Sequence, residues 1–260
     1  MHNDFDNASK KYDDTFTFSK IGKAQRKRVF TYVNPLLKTA RKLRILELNC
    51  GTGVDAIHFS KSGHSVIATD ISEGMITVAK AKKHTENVVF QVQDINTIRN
   101  TSFEQKFDLI FSNFGGLNCL AKTQLEQFLK TANQLLAPNG KLILVIMPKK
   151  CLWEKIYFSA KGQFKKANRR NTDQSLAVPV DGVTVKTWYY NPKEILSLTK
   201  KGFTVNKIKP IGLAIPPSYL ENSILTKKPL LSIFKGIDTI ATGAFWAKYA
   251  DHFLIELTKK

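Results

Sequence analysis

The chain has little of what marks a secreted or membrane-spanning protein. Its 260 residues contain three cysteines, Cys50, Cys119 and Cys151, at spacings that suit neither a metal site nor a disulfide framework. Disulfides persist in oxidising compartments, so reduced thiols and a cytoplasmic location are the expectation. The longest purely apolar run, LILVIM at 142–147, is far shorter than the roughly 20 residues that a spanning helix requires. The opening MHNDFDNASKKYDD is polar and acidic, unlike a signal peptide. No internal repeat, low-complexity tract or interdomain linker breaks the chain, and 43% hydrophobic residues can build a sizeable core.

Acidic residues are also scarce. Lys and Arg number 40 against 21 Asp and Glu, a formal net charge of +19. The excess is spread along the chain, with two runs that hold no acid: nine basic residues between Thr15 and Leu46, and six between Lys155 and Thr172, ending in Arg169 and Arg170. Such faces attract nucleic acid, anionic membrane or anionic substrates, or are simply solvated lysine-rich surface.

Short apolar runs alternate with helical patterns through the first part of the chain. Residues 19–39 predict an amphipathic helix that starts at Ser19 and is kinked or broken at Pro35. Strands are expected at RILEL (44–48), SVIAT (65–69), VVFQV (88–92), DLIFS (108–112) and KLILVIM (141–147), with helices over 53–62, 72–83 and 122–136. Several strands are apolar on both faces, which predicts a parallel sheet covered by helices on each side. In the second part, helices are expected over 151–162 and 192–201, and strands at GVTVKTWYY (182–190), at 203–212 and from His252. Residues 212–251, rich in aromatics and containing Pro216-Pro217, read as a cap over the binding edge.

The turn after the first strand reads E47-L-N-C-G-T-G53. A dinucleotide fingerprint, G-x-G-x-x-G, has three glycines beside a pyrophosphate. This turn has two, with an acid in the preceding strand, and therefore suits a cationic or zwitterionic ligand better; an NAD-dependent dehydrogenase is disfavoured. Asp70, 17 residues beyond Gly53, can accept both hydroxyls of a ribose. Asp94 and Ile95, at the end of the third strand, can hold an adenine amino group and ring face.

These segments together closely resemble the class I S-adenosylmethionine-dependent methyltransferases. Glu47 to Gly53 looks like the family's first motif, usually E-x-G-x-G-x-G; ATDIS like the second; QVQDI like the third; and FDLIFSN, Asp108 to Asn113, like the fourth, which ends beside the reactive methyl. The opening FDNASKKYD resembles the FDxxAxxYD start of ubiquinone and menaquinone biosynthesis methyltransferases. The resemblance covers about residues 5–147. It implies a Rossmann-like α/β fold of seven strands, mostly parallel with an antiparallel last strand, helices on both faces, and an aromatic-rich C-terminal cap. The whole chain is then one methyltransferase domain: an N-terminal lid (1–43), a cofactor core (44–147) and an acceptor part (148–260). Asn49 replaces the family's first glycine, and asparagine is the residue other than glycine that best tolerates positive φ.

By this resemblance the cofactor is S-adenosyl-L-methionine, with S-adenosyl-L-homocysteine as product. Its site would comprise Tyr12, Arg26, Glu47, Asn49, Gly51, Gly53, Asp70, Ile71, Met75, Asp94, Ile95, Ser112 and Asn113. Glu47 would support the ammonium end and Arg26 the carboxylate, Asp70 the ribose, Asp94 and Met75 the adenine. No metal is expected. Methyl transfer needs orientation above all, and an oxygen acceptor of high pKa also needs a base. Of His2, His58, His64, His84 and His252, only His252 falls where an antiparallel last strand would begin at the binding edge, which makes it the candidate base. Trp153, Tyr157, Tyr189, Phe245 and Trp246 are candidates for an apolar acceptor pocket. The expected acceptor is a small molecule: oxygen or carbon of a phenol, quinol, lipid or polyketide-like compound. Peripheral contact with anionic membrane is a possible partner interaction. The alternative is an RNA methyltransferase using the basic runs, but SNFGGL stands where adenine-targeting enzymes of the fold carry an N/D-P-P-Y/F motif, and no RNA-binding module is evident.

Overall fold

The computed structural model describes residues 3–99, 101–180 and 183–260. Two helices lead in, α1 (Asn3–Tyr12) and α2 (Lys20–Leu37), joined by a π-helical turn over Asp13–Thr17. Ser19 caps α2, its hydroxyl accepting the Gly22 N–H at 2.9 Å. Alternating strands and helices follow: β1 (Arg44–Leu48), α3 (Val54–Lys61), β2 (Ser65–Asp70), α4 (Glu73–Ala81), β3 (Val88–Val92), β4 (Phe107–Ser112), α5 (Lys122–Leu135) and β5 (Leu136–Ile146). The second part contains α6 (Leu152–Ala160), α7 (Phe164–Ala167), β6 (Leu176–Val180), β7 (Val183–Thr187), α8 (Pro192–Thr199), β8 (Phe203–Ile211), α9 (Leu230–Ile240) and β9 (His252–Lys259).

Seven strands form one sheet in the order β3-β2-β1-β4-β5-β9-β8. Strands β1 to β5 pair in parallel, and β9 runs antiparallel to both β5 and β8. The chain therefore turns back on itself between β1 and β4, and ligands of open α/β sheets bind at the carboxyl ends flanking such a switch. Alternation along β1 sends Leu46 and Leu48 into a core shared with Leu125 and Phe128 of α5 and Ile195 of α8. Ile45 points into the opposite core, with Val29, Phe30 and Val33 of α2 and Ile57 and Phe59 of α3. Glu47, two residues from Ile45, shares that second face.

Three expectations from the sequence are corrected. Pro35 neither ends nor breaks α2, which runs on to Leu37; it sits in the last turn, where its missing N–H costs one hydrogen bond at a helix end. The fifth strand starts at Leu136, five residues early. The register between β4 and β5 shifts at Phe107/Leu109, and Asn139 at φ 59° together with Gly140 absorbs the irregularity. The strand expected at 182–190 is shorter, Val183–Thr187, and belongs to a separate two-stranded hairpin with β6, which the sequence reading missed. Gly182 and His2 lie outside the described residues. Among the described residues, no helix is long and apolar enough to cross a membrane.

Gly53 is where the fold and the site meet. Its φ is 77°, and a Cβ there would come within 2.5 Å of the Phe90 ring and 2.9 Å of the Ala79 Cβ. The Gly53→Ala variant is expected to lose about 2–4 kcal/mol of stability, from positive-φ strain plus overlap in the core. Urea denaturation checks this; an unchanged midpoint would mean that the turn relaxes without cost.

Candidate active site

The turn after β1 takes its shape from three left-handed residues, Asn49 (φ 54°), Gly51 (φ 53°) and Gly53. Asn49 adopts the conformation that its place in the motif requires. Its side chain in turn abuts Gly116, where a Cβ would lie 2.5 Å from the Asn49 Cβ. The pocket at this turn is lined by Tyr12, Thr17, Arg26, Glu47, Asn49, Cys50, Gly51, Thr52, Val54, Asp55, Asn113 and Phe114, and encloses about 330 Å³ of space, open solvent included.

The pocket is acidic, although the chain as a whole is strongly basic. Glu47 is 2% exposed, and its Oε2 has no hydrogen-bond partner. Burial pushes its pKa well above the usual 4.5; the nearby negative charge of Asp55 and, more weakly, of Asp70 adds to the rise, which Arg26 opposes. Asp55, in the first turn of α3, is buried and satisfied on both oxygens: Arg26 Nε donates to Oδ1 at 2.7 Å and Asn113 Nδ2 to Oδ2 at 2.8 Å. Arg26 also donates to the Thr17 carbonyl at 3.3 Å and lies over the Phe114 ring. One carboxylate thus joins α2, α3 and the end of β4. Sequence reasoning missed Asp55; the available signal was an acid at a helix N-terminus beside a glycine turn.

Asp70, at the end of β2, accepts the Gly51 N–H on Oδ2 at 2.8 Å and the Ser72 N–H on Oδ1 at 3.0 Å. Burial nonetheless raises its pKa. Ser72 caps α4 through the Met75 N–H, and Met75 is buried. Asp94 accepts the Asn96 N–H at 2.8 Å, and Ile95, at the same strand end, packs against the core. Ser112 is fully buried with its hydroxyl unpartnered. The pocket brings together Tyr12, Arg26, Glu47, Asn49, Gly51 and Asn113; Asp70 and Gly53 flank the same turn.

The N-terminal segment is docked on this edge by acids the sequence reading had not assigned. Asp6 Oδ1 accepts from the Ser72 hydroxyl at 2.5 Å and from the Gly74 N–H at 2.8 Å. Asp13 accepts from the Thr52 hydroxyl at 2.6 Å and pairs with Lys82, also at 2.6 Å. Both acids stand in the FDNASKKYD motif, seven residues apart.

In the C-terminal part, β9 begins beside the carboxyl end of β5, where Phe253 pairs with Ile146. His252 is buried, 3.3 Å from Asp251 Oδ2, with its ring edge-on to Phe114 at 5.7 Å. Phe114 therefore stands between His252 and the pocket. Burial would raise the pKa of Asp251, but His252 and Arg170 overcome it and hold the carboxyl well below its usual range. The five aromatic candidates do not line the pocket. Trp153 stacks edge-on with Phe234 and donates to the Ala214 carbonyl, Tyr157 meets Phe158 and Tyr219, and Tyr189 lies under Arg170. Phe245 and Trp246 sit on an exposed turn. No thiol is activated: burial pushes Cys119 up to about 11 and Cys151 to about 12.

A seven-stranded sheet whose order reverses between β1 and β4 beside a glycine turn, with β9 antiparallel between β5 and β8, is a Rossmann-like methyltransferase fold. Residues 45–140 match the methyltransferase domain family, in agreement with the resemblance of the sequence motifs to the class I S-adenosylmethionine-dependent methyltransferases. It is 31% identical over 144 residues to a malonyl-[acyl-carrier protein] O-methyltransferase of Bacillus cereus, covering 54% of this chain and 49% of that protein. It is 30% identical over 142 residues to a demethylmenaquinone methyltransferase of Clavibacter sepedonicus, covering 54% and 55%. The chain spans about half the length of these curated relatives. In fold it is similar to an S-adenosylmethionine-dependent methyltransferase from Mesorhizobium loti, at TM-score 0.57, 16% identity and coverage of 89% and 97%. It is also similar to the magnesium protoporphyrin IX methyltransferase of Synechocystis with bound SAH, at TM-score 0.57, 14% identity and coverage of 98% and 94%.

Glu47 sets a test that needs no ligand. A carboxyl with a raised folded-state pKa holds its proton better in the folded than in the unfolded state. Its stabilising contribution is full below 4.5 and is lost as pH rises through the folded value. Glu47→Gln is therefore expected to raise the urea midpoint of the ligand-free protein at neutral pH and to flatten that pH dependence. Identical midpoints and pH slopes for the two proteins would contradict the burial argument.

Proposed function

We propose that the protein transfers a methyl group from S-adenosylmethionine to oxygen or carbon of a small-molecule acceptor, a phenol, quinol, lipid or polyketide-like compound. The observation that carries this reading is the Glu47 carboxyl: buried, unpartnered at Oε2 and grouped with Asp55 and Asp70 around a pocket that has one arginine. Leaving such a group unpaired is costly, and a ligand with an ammonium and a sulfonium charge satisfies it. The turn residues Gly51 and Gly53 allow close approach of its amino-acid end. Arg26, which also lines the pocket, meets its carboxylate in this reading. Asp70 takes the ribose hydroxyls, and Asp94, Ile95 and Met75 the adenine. Ser112 and Asn113 end β4 beside the reacting centre.

When bound, S-adenosylmethionine supplies a methyl on a positively charged sulfur that departs as a neutral thioether. The protein's part is to orient the acceptor in line with that bond and to exclude water. For an oxygen acceptor the base in this reading is His252, whose Nδ1 lies 3.3 Å from Asp251 Oδ2 and whose ring packs edge-on against Phe114, a lining residue of the pocket. The relatives named for malonyl-[acyl-carrier protein] and demethylmenaquinone favour small or carrier-borne acceptors over RNA. Three free cysteines accord with a cytoplasmic setting.

Removing a charge-assisted hydrogen bond costs roughly 1.5–3 kcal/mol, so Glu47→Gln and Asp70→Asn should each weaken S-adenosylhomocysteine binding about tenfold or more by calorimetry. Full affinity in both would remove the assigned site. Incubation with methyl-labelled S-adenosylmethionine and lysate of the source organism should place label in the organic extract; label in precipitated RNA would replace this acceptor class with nucleic acid. His252→Asn should cut turnover of the identified acceptor more than tenfold with cofactor affinity unchanged, and equal turnover would exclude His252 as base.

A further inference from the structure

The segment between β8 and β9 carries an apolar surface for which the site has no use. In α9, Leu231, Phe234 and Asp238 face inward, with Phe234 packed into a cluster with Ile21, Ala24 and Trp153. A different stripe of the same helix is made of Ile233, Ile237 and Ile240, spaced i, i+4 and i+7, and these are 53%, 44% and 83% exposed. Ile224, just before the helix, is 68% exposed, and Phe245 and Trp246, just after it, are 60% and 41%. Scattered single apolar residues need no explanation, but a continuous stripe flanked by aromatics marks an interaction surface.

The charges around it specify the occupant. From Asn222 to Ala250 there are four lysines, 227, 228, 235 and 248, and one acid, Asp238. That acid is 2% exposed and accepts the Gly212 and Ala214 N–H groups at 3.1 and 2.6 Å, so its charge is spent inside. Lys227, Lys228 and Lys235 are exposed, and Lys248 lies over the rings of Phe245 and Tyr249. A face of isoleucine with exposed lysines just before its helix at Lys227 and Lys228, and with Trp and Phe just after it, has the composition of an interfacial helix that lies in an anionic bilayer surface. A second copy of this chain would bring together the lysines of two molecules of charge +19. Nucleic acid would leave the aliphatic stripe in water.

We infer that α9 and the turn 244–248 form a peripheral docking surface for anionic membrane, with Ile233, Ile237 and Ile240 entering the acyl boundary and the lysines contacting lipid phosphates. This does not rest on the proposed chemistry. The full-length protein is mixed with vesicles of phosphatidylcholine alone or with added phosphatidylglycerol, and binding is read by co-sedimentation and tryptophan emission. Binding to the anionic vesicles, lost at high salt, is expected, with a blue shift absent from Trp246→Phe. The Ile233→Ser/Ile237→Ser/Ile240→Ser variant should bind at least tenfold more weakly while keeping its S-adenosylhomocysteine affinity, which shows that it is folded. The Lys227→Glu/Lys228→Glu/Lys235→Glu variant should lose the salt-sensitive part. Equal binding by the isoleucine variant, no binding of the wild type, or a stripe that instead mediates dimers in sedimentation equilibrium would each overturn the inference.

Discussion

A carboxyl group held out of water at the end of β1 governs the arrangement around it. Glu47 lies on the face of β1 that carries Ile45, next to Asp55 and near Asp70, and Arg26 is the cation that tempers this cluster. Burying like charges together is unfavourable, so each acid other than Glu47 is matched with donors: Asp55 with Arg26 and Asn113, Asp70 with the N–H groups of Gly51 and Ser72. These same bonds shape the left-handed turn and bring α2, α3 and the end of β4 to one place. The unpartnered oxygen of Glu47 is the remaining demand of the cluster, and it faces the pocket.

The N-terminal segment is part of the site because of complementary charge. Asp6 and Asp13 reach the start of α4, the Thr52 hydroxyl and Lys82, and Arg26 reaches Asp55. The pocket that these contacts close is acidic inside a chain of +19. Interior and exterior charge therefore differ in sign: acids cluster at the pocket, and lysines dominate the surface. The lysines beside the isoleucine stripe of α9 belong to the second kind.

After residue 150, aromatic side chains contribute more to packing and surface than to the pocket at the glycine turn. Trp153 anchors the loop after β8 through the Ala214 carbonyl, and a buried network of Glu154, Arg169, Arg170 and Asp251 ties α6 to the start of β9. His252 is held within this scaffold. Its burial behind Phe114 follows from the pairing of β9 between β5 and β8, which places the strand start under the loop after β4.

The sequence by itself determined the parallel sheet and the glycine turn, because two-sided apolar strands and a turn of Asn49, Gly51 and Gly53 leave few other conformations. It also determined the helix cap at Ser19, which depends on near neighbours alone. The irregular start of β5, the β6–β7 hairpin and the passage of α2 through Pro35 were decided by tertiary structure, since each depends on a partner strand or on position within a helix. Asp55 was visible in the sequence only as an acid at a helix start; its partners, Arg26 and Asn113, lie 29 and 58 residues away and were decided by the fold. The aromatic residues after 150 were readable as a concentration of rings, but which of them face a pocket, a core or solvent was settled by packing that no local pattern encodes. The isoleucine stripe of α9 has the same origin: its spacing is visible in the chain, and its exposure follows from Leu231, Phe234 and Asp238 taking the inward face.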